Sequence, residues 1–342
     1  MTTHRARVLA FTVVVVLAVG GAVAYLLLAA RERSDAVAAP PSVPPTGTSG
    51  FAGPGDPGGY IAFRRTAIDA AYGTVGLVPL DDPSAAPTPT DLSCERVHVS
   101  RRGGVCLDVD RAAVTTATVL LLGPDLSVRH ELSTPGIPSR ARVSADGRWA
   151  ATTTFVTGHS YASTGFSTRT EIYDMESGTS RGNVEEFTVS HRGKPVRAED
   201  VNVWGVTFAP HGPSFYATVM TGGAKYLAEG DIARRTLVML DVPAECPSLS
   251  PSGTLLAYKN ATGPTTWEVR VRTLADGSEV VVGESASVDD QVEWLDDEHV
   301  VFGLARPEGG ATADVWVAPA DGSGPAERLV PAAWSPAVVP AG

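Results

Sequence analysis

The sequence of 342 residues is poor in several residue types that protein sites commonly use. Its three cysteines and seven scattered histidines show no metal-ligand spacing, so no metal site is predicted. Lys and Arg number 27 against 38 acidic residues, for a net charge of −11. Because an acidic chain without a basic stripe repels phosphate backbones, we expect no nucleic-acid partner. No glycine-rich loop opens a predicted helix, and we expect no cofactor.

Catalytic motifs are also missing from the sequence. Residues 158–162 (GHSYA) depart from the G-x-S-x-G nucleophile elbow at the fifth position and lie in no strand–turn–helix pattern, so Ser160 is interpreted as a loop serine. Residues 144–147 (SADG) lack the spacer of a sialidase Asp box and are typical of a hairpin turn. The last predicted strand, residues 333–339, ends three residues before the sequence does, so we expect no hydrolase domain behind it. The sequence therefore predicts a protein that is not an enzyme.

Only one long apolar run is present, at residues 8–30. As a helix it would be about 34 Å long, enough to cross a bilayer core of about 30 Å. A cleaved signal peptide is the alternative, with an A-x-A pattern at residues 36–38, although signal-peptide cores are shorter. We expect a retained single-pass anchor in the cell membrane, with residues 1–7 in the cytoplasm and the C-terminal part outside. Residues 31–59, rich in Pro, Gly, Ser and Ala, predict an extended linker.

Glycine and proline are abundant, with 35 and 26 residues between short apolar runs, which favours many short strands over helices. From residue 60 onward a four-strand unit recurs, and its clearest copy spans residues 247–284. Units begin near residues 94, 141, 202, 246 and 290, so the period is about 44 residues, with one unit of about 60. Four-stranded repeats of this length are typical of β-propeller blades.

The two ends of the repeat region together supply one further blade. Residues 60–66 and 73–81 fit the second and third strands of a blade that lacks its first strand, and residues 333–339 (AWSPAVV) fit an isolated first strand. Pairing them would close the ring and remove open sheet edges. The sequence therefore predicts an all-β fold: a six-bladed β-propeller over residues 60–342, closed by a C-terminal strand and preceded by one transmembrane helix.

The repeats resemble those of TolB-like β-propellers, which read approximately Pro-x-Trp-Ser-Pro-Asp-Gly, then an Ile-Ala-Phe-like strand, then Ile-Tyr-x-x-Asp. The matching segments are Trp334-Ser335-Pro336, Ser250-Pro251-Ser252-Gly253 with Leu256-Ala257-Tyr258, Ser144-Ala145-Asp146-Gly147, and Ile172-Tyr173-Asp174. The layout is similar to TolB-like proteins of high-GC Gram-positive bacteria, in which one propeller follows one N-terminal membrane helix. The resemblance implies a fold and leaves the function open.

Two of the three cysteines lie in one local segment. A location outside the cytoplasm would allow Cys94 and Cys106 to form a disulfide, which would leave Cys246 over. A two-residue turn at Arg102-Gly103 argues against the bridge, because Cys106 would face Val99 and Cys94 would lie about five residues further along. The disulfide is therefore predicted only with a bulge or fold-back near Cys94.

In the absence of a catalytic motif, the candidate functional feature is a surface. In propellers, the loops between second and third strands share a face with those that join the blades. The two longest predicted loops of the first kind are residues 157–168 and 221–234, and we predict that they lie side by side at the edge of a partner site. Their candidate binding residues are His159, Tyr161, Phe166, Lys225, Tyr226 and Glu229. Alternatively, the three aromatic residues pack the two loops against each other.

Carboxylates cluster where the predicted first strands begin, on that same face: Glu199, Asp200, Glu245, Asp289 and Asp290. They predict either an acidic channel mouth that holds a cation or a basic peptide, or a solvated rim without a ligand.

We expect a non-catalytic module that binds a protein or peptide at the cell envelope. The alternative is a propeller hydrolase or lyase, or a ligand sensor, that acts on carbohydrate or peptide. An enzyme would place a convergent polar cluster with shifted pKa values in the channel.

Overall fold

The computed structural model describes residues 52–110, 116–156, 167–263, 266–283, 288–307 and 311–342. The predicted cytoplasmic stub (1–7), the membrane helix (8–30) and most of the linker (31–59) lie outside these residues. Within the described ranges, no helix is long and apolar enough to cross a membrane.

The described strands form six sheets, which we name blades 1 to 6. Blade 1 contains β1 (Tyr60–Arg65), β2 (Thr74–Pro79), β3 (Thr88–Ser93) and, from the other end of the chain, β26 (Ala333–Val339). Blade 2 contains β4 (Arg96–Ser100), β5 (Gly103–Asp110), β6 (Thr116–Leu122) and β7 (Val128–Pro135). Blade 3 contains β8 (Ile137–Val143), β9 (Trp149–Val156), β10 (Ser167–Asp174) and β11 (Ser180–Asn183).

Blade 4 is the largest and contains β12 (Thr188–His191), β13 (Lys194–Pro195), β14 (Asn202–Phe208), β15 (Ser214–Thr221), β16 (Ala224–Asp231) and β17 (Thr236–Met239). Blade 5 contains β18 (Glu245–Leu249), β19 (Leu255–Ala261), β20 (Trp267–Thr273) and β21 (Glu279–Val281). Blade 6 contains β22 (Glu293–Trp294), β23 (His299–Ala305), β24 (Ala313–Pro319) and β25 (Glu327–Val330). A short 3₁₀ helix, Val184–Glu186, follows blade 3.

The first strands of the blades line the centre of the ring. Each contacts the first strands of both neighbouring blades, in the order β26, β4, β8, β14, β18 and β22. β14 is buried along its whole length, whereas the outer strand β7 is mostly exposed or partly exposed. The core lies between the blades: one cluster joins Ile172 of blade 3 to Phe215 of blade 4, and another joins Leu77 of blade 1 to Val97 of blade 2. Each blade therefore depends on its neighbours for burial.

The predicted closure of the ring is confirmed. β26 pairs antiparallel with β1, with Tyr60 opposite Val339 and Arg65 opposite Ala333. Blades 1 and 6 also share a cluster of buried side chains. The described chain thus forms the predicted six-bladed β-propeller, with its first blade completed by the C-terminal strand.

The predicted loop at residues 221–234 is wrong. Thr221 ends β15, Gly222 and Gly223 form a two-residue turn, and β16 begins at Ala224. Both glycines have positive φ, 59° and 75°, as the type I′ turn of a hairpin requires. The long unit is the one before it, residues 141–202, and contains β12 and β13, a hairpin that extends the outer edge of blade 4, with β12 parallel to β17.

Bulges interrupt several first strands near their beginning. Ser335 in β26, Gly205 in β14 and Cys246 in β18 adopt positive φ values of 51°, 65° and 50° at these irregularities. A Cβ on Gly205 would lie 2.5 Å from the Cys246 Cα, so β14 and β18 approach closely only because this residue is glycine. A bulge re-aims the side chains beside it, which here are Trp204 and Glu245.

A disulfide joins Cys94 to Cys106, with Cα atoms 5.5 Å apart. The predicted turn was wrong by one residue: the turn comprises residues 101–102, so Cys106 lies opposite Val97. Cys94 is therefore only three residues from the position opposite Cys106, and the link between β3 and β4 brings the two sulfur atoms together. The bridge ties blade 1 to blade 2, and Cys246 is a buried free thiol.

Candidate binding site

A pocket with a volume of about 330 Å³ opens where the first and third strands begin and the second strands end. We call it the upper pocket, and its principal residues are Arg140, Phe155, Trp204, Met220, Lys225, Glu245, Lys259, Trp267 and Asp289. They come from blades 3, 4 and 5 and from the link to blade 6. This is the face on which the sequence places the candidate binding residues.

A buried carboxylate joins two blades at one wall of the upper pocket. Glu245, the first residue of β18, accepts hydrogen bonds from Lys225 Nζ at 2.5 Å and from Trp267 Nε1 at 2.8 Å. Lys225 belongs to blade 4 and Trp267 to blade 5. Charge-assisted hydrogen bonds of this kind hold both partners in a fixed geometry. The Trp267 ring is therefore a rigid wall of the pocket.

Two buried cations beside this wall face one exposed carboxylate. Lys259 is 2% exposed, and its Nζ lies 4.2 Å from the centre of the Trp267 ring and 2.9 Å from Asp289 Oδ1. Arg140 Nη2 lies 3.4 Å from the same oxygen. Arg140 also donates from Nε to Cys246 Sγ at 3.3 Å and from Nη1 to the carbonyl of the preceding residue at 2.7 Å.

The charge of Asp289 depends on these cations. Partial burial alone would raise the pKa of Asp289, but the charges of Lys259, Arg140 and Arg96 outweigh burial and hold it below its usual value. Asp289 is therefore ionised at neutral pH and serves as the counter-ion of the cations.

The structure brings three of the predicted site residues together in the upper pocket, namely Lys225, Glu245 and Asp289. Tyr226 instead packs against the blade 4 core, with its ring centre 5.3 Å from that of His191. Glu229 accepts a hydrogen bond from the hydroxyl of Tyr216 across the β15–β16 ladder. Tyr226 thus lies on a strand, where the sequence predicts a loop, and packs within blade 4. His159, Tyr161 and Phe166 lie outside the described residues.

The other three predicted carboxylates, Glu199, Asp200 and Asp290, do not line the upper pocket. Among the described residues, no group of three His, Cys, Asp or Glu side chains is placed to hold a metal ion. Asp200 accepts hydrogen bonds from Thr221 Oγ1 and Gly222 N, both at 2.7 Å, and fixes the β15–β16 turn. Asp290 is buried and accepts from the backbone N–H of Ser335 at 3.0 Å. Glu199 is exposed on the link before β14. Asp200 and Asp290 are thus held by hydrogen bonds within the fold.

Four residues that line the pocket were not predicted from the sequence: Arg140, Lys259, Trp204 and Trp267. The sequence does contain a signal for Arg140. Arg140 and Arg142 are two residues apart on a first strand, so their side chains lie on the same side of that strand. Charged residues at alternate positions of an inner strand face a channel that water and counter-charges reach. No local pattern marks Lys259, whose partner Asp289 lies 30 residues away.

A second cavity of about 550 Å³, which we call the lower pocket, lies at the other end of the channel, where first strands end. His98, Arg142 and Glu293 meet at its inner wall. Arg142 forms an ion pair with Glu293 and donates from Nη2 to the carbonyl of Val292 at 2.9 Å.

The protonation state of His98 follows from its partners. The N–H of Val143 donates to His98 Nδ1 at 3.1 Å, and His98 Nε2 lies 2.8 Å from Arg142 Nη1 and 3.1 Å from Glu293 Oε2. Burial, and next the charge of Arg142, hold the pKa of His98 well below its usual value of 6.5. The ring is neutral at neutral pH. A convergent polar cluster with a shifted pKa is therefore present in the channel.

No family model and no curated protein matches this sequence. The chain is similar in structure to TolB from Acinetobacter baumannii, with a TM-score of 0.60 and 15% identity over 84% of this chain and 68% of that one. Putative TolB from Agrobacterium tumefaciens gives a TM-score of 0.49 and 12% identity, over 79% and 88% of the two chains. An oligogalacturonate lyase in complex with manganese gives 0.46 and 10%, over 72% and 71%. Such identities concern the fold alone, and the fold of this chain is a TolB-like six-bladed β-propeller.

Proposed function

We propose that the chain is a membrane-anchored propeller that binds a protein or peptide at the cell envelope, through the face that carries the upper pocket, without catalysing a reaction. The anchor and the location outside the cytoplasm rest on the apolar run at residues 8–30 and on the linker that follows it. The layout resembles TolB-like proteins of high-GC Gram-positive bacteria, which have the same order of helix and propeller.

The observation that carries the binding role is the combination of aromatic walls and fixed charges in the upper pocket. Trp204 and Trp267 lie on strands of the propeller, and Glu245 holds the Trp267 ring in place. Rigid aromatic and charged side chains around a concave surface are typical of sites that recognise a partner. Phe155, 38% exposed at the end of β9, extends the aromatic surface toward the outer rim.

A photo-crosslinking amino acid at position 155 of the full-length chain, in intact cells, tests this proposal. The matched control places the same amino acid at the exposed Ala145, beside the lower pocket. We expect a protein adduct from position 155 and none from position 145. Adducts from position 145 alone, or equal adducts from both, would contradict the assignment of this face.

The topology is tested separately by adding protease to intact cells from which the wall has been removed. We expect cleavage within residues 60–342 and an N-terminal fragment that stays with the membrane. A protected propeller, or a mature N-terminus near residue 39, would contradict the retained anchor.

The second candidate function is a propeller hydrolase or lyase, or a ligand sensor, that acts on carbohydrate or peptide at the lower pocket. The cluster of His98, Arg142 and Glu293 favours it, because shifted pKa values and convergent polar groups are common at active sites. Against it, both ring nitrogens of His98 are engaged within the fold. Incubation with polysaccharide and peptide panels, followed by mass spectrometry, should give no product. Product formation that His98→Asn abolishes would favour the enzyme.

A further inference from the structure

We propose that the upper pocket binds a carboxylate of its peptide partner in the position that Asp289 occupies in the structure, with Lys259 and Arg140 as the residues that hold it. This inference rests on the proposed function and names the chemistry by which the partner is recognised. The ligand is therefore an anion, whereas the acidic residues of the sequence predict a cation or a basic peptide.

Two cations are buried at this site. Lys259 is 2% exposed and Arg140 is 7% exposed. Removing a charge from water is costly unless an opposite charge and hydrogen bonds compensate it. The carboxylate that faces both is Asp289, and both contacts use its Oδ1 atom.

Asp289 differs from the other acids of the region because it is accessible. Its side chain is 68% exposed, whereas Glu245 and Asp290 are buried and receive hydrogen bonds from fixed donors. The Asp289 carboxylate lies mostly in water and so loses little solvation when it rotates away, and the main cost is the uncompensated charge left on Lys259 and Arg140, which a ligand carboxylate would compensate. Its departure would leave Lys259 Nζ and Arg140 Nη2 facing the pocket.

The geometry leaves room for a better acceptor. Arg140 Nη2 makes only long contacts with Asp289, 3.4 Å to Oδ1 and 3.5 Å to the carbonyl oxygen. Charge-assisted hydrogen bonds to carboxylate are usually about 2.7–2.9 Å. A ligand carboxylate that enters from solvent is free of the backbone that constrains Asp289 and can approach both cations. The Trp267 ring beneath Lys259 offers a flat surface to the adjoining residue of the peptide.

The local charge favours an anion. Among the residues that line the pocket, Arg140, Lys225 and Lys259 oppose Glu245 and Asp289, which leaves one positive charge in a chain whose net charge is −11, and the nearby charges of Arg96 and Asp290 offset each other. When Asp289 turns away into solvent, the pocket itself carries two. A basic peptide would meet these cations, so an acidic side chain or a C-terminal carboxylate fits and a basic one does not.

The test uses the full-length chain labelled with ¹⁵N at tryptophan, whose six indole signals are few enough to resolve. Glutarate is the probe, and glutaramide at the same ionic strength is its uncharged control. We expect a saturable shift of the Trp267 indole signal with glutarate only, assigned with Trp267→Phe. Asp289→Asn should lower the apparent Kd about tenfold, because it removes the internal competitor, and Lys259→Met should abolish the shift. The signals of the other tryptophans report whether each variant is folded.

The direction in which Asp289→Asn changes the apparent Kd for glutarate shows whether the site favours an anionic or a cationic ligand. Weaker or absent glutarate binding in a folded Asp289→Asn variant would overturn the proposal. Peptide arms then identify the source: acetyl-Ala-Tyr-Ala with a free C-terminus against its amide, and acetyl-Ala-Asp-Tyr-Ala-amide against its Asn form. Competition by one acidic peptide and not by its uncharged match supports the proposal, whereas competition by glutarate alone contradicts a peptide ligand.

Failure of this inference is distinguishable from failure of the proposed function. If position 155 still cross-links a protein in an Asp289→Asn background with no glutarate response, the face binds a partner by other chemistry. If glutarate binds and no protein cross-links at position 155, the pocket takes a carboxylate while the proposed protein-binding role is wrong.

Discussion

The carboxylate of Glu185 gives this propeller a stability that depends on pH in an unusual direction. Glu185 lies in the 3₁₀ helix after blade 3 and accepts hydrogen bonds from Thr170 N at 2.9 Å, Thr168 Oγ1 at 2.8 Å and Val203 N at 3.3 Å. These donors belong to blades 3 and 4, so the side chain joins the two. None of them is a cation. Burial therefore outweighs the hydrogen bonds and raises the pKa of Glu185 to about 7.

The sign follows from proton linkage. A carboxyl group whose pKa is higher in the folded chain binds its proton more tightly there, so its contribution is complete below the unfolded pKa and is lost as pH rises through the folded one. The rise in the pKa of Glu185 from 4.5 to about 7 corresponds to about 3 kcal/mol of unfolding free energy, at about 1.4 kcal/mol for each pKa unit. Glu185 as a residue keeps partial contact with solvent, so this figure is an upper value.

Glu185→Gln isolates this contribution, because every other titrating group is common to both proteins. We measure urea unfolding of the full-length chain by tryptophan fluorescence at pH values from 4.5 to 7.5 and constant ionic strength. The unfolding free energy of the wild type minus that of the variant should fall with rising pH, by up to about 3 kcal/mol. Glu186→Gln, the exposed neighbour, is the control and should give a nearly constant difference. A difference for Glu185→Gln that is constant, or that rises with pH, would refute the reasoning.

Three further predictions concern the disulfide, the closing strand and the lower pocket. Replacing Cys94 and Cys106 by Ser should lower the unfolding free energy by about 3 kcal/mol, and reductant should then have no further effect on the denaturant midpoint. Deleting residues 333–342 should abolish the cooperative thermal transition, since β26 covers β1, and an unchanged midpoint would contradict its role in closure. As pH falls below 6.5, the wild type should lose more stability than His98→Asn, because folding depresses the pKa of His98, and parallel urea profiles would contradict this.

The blade count and the closing strand were predictable because they depend on local patterns. Short apolar runs, turn glycines and a fixed spacing recur in each blade, so AWSPAVV could be matched with the segment at 60–66 although the whole propeller lies between them. The error at residues 221–234 was also local. Gly222-Gly223 is a hairpin signal between two strands, but the sequence of β16 alternates weakly and carries Lys225 and Glu229, so its pattern resembles that of a loop.

The upper pocket was only partly predictable because its contacts are not local. Arg140 and Asp289 are 149 residues apart in sequence, and Lys225 reaches Glu245 in the next blade. The sequence placed three of the pocket residues on the correct face through the blade pattern. It could not show which cations would face them, because that depends on how the first strands meet at their bulges.

Arg140 and Arg142 show why the exposure of a counter-ion separates a binding site from a structural ion pair. They are two residues apart on β8, both are buried, and each faces a carboxylate from blade 6 or the link before it. The partner of Arg142, Glu293, has a side chain only 12% exposed, and displacing it would strand a charge in the interior. The partner of Arg140, Asp289, can exchange water for the cation. A ligand carboxylate can therefore replace Asp289 but not Glu293. The upper end of the channel thus favours ligand exchange, and the lower end favours a rigid ion pair.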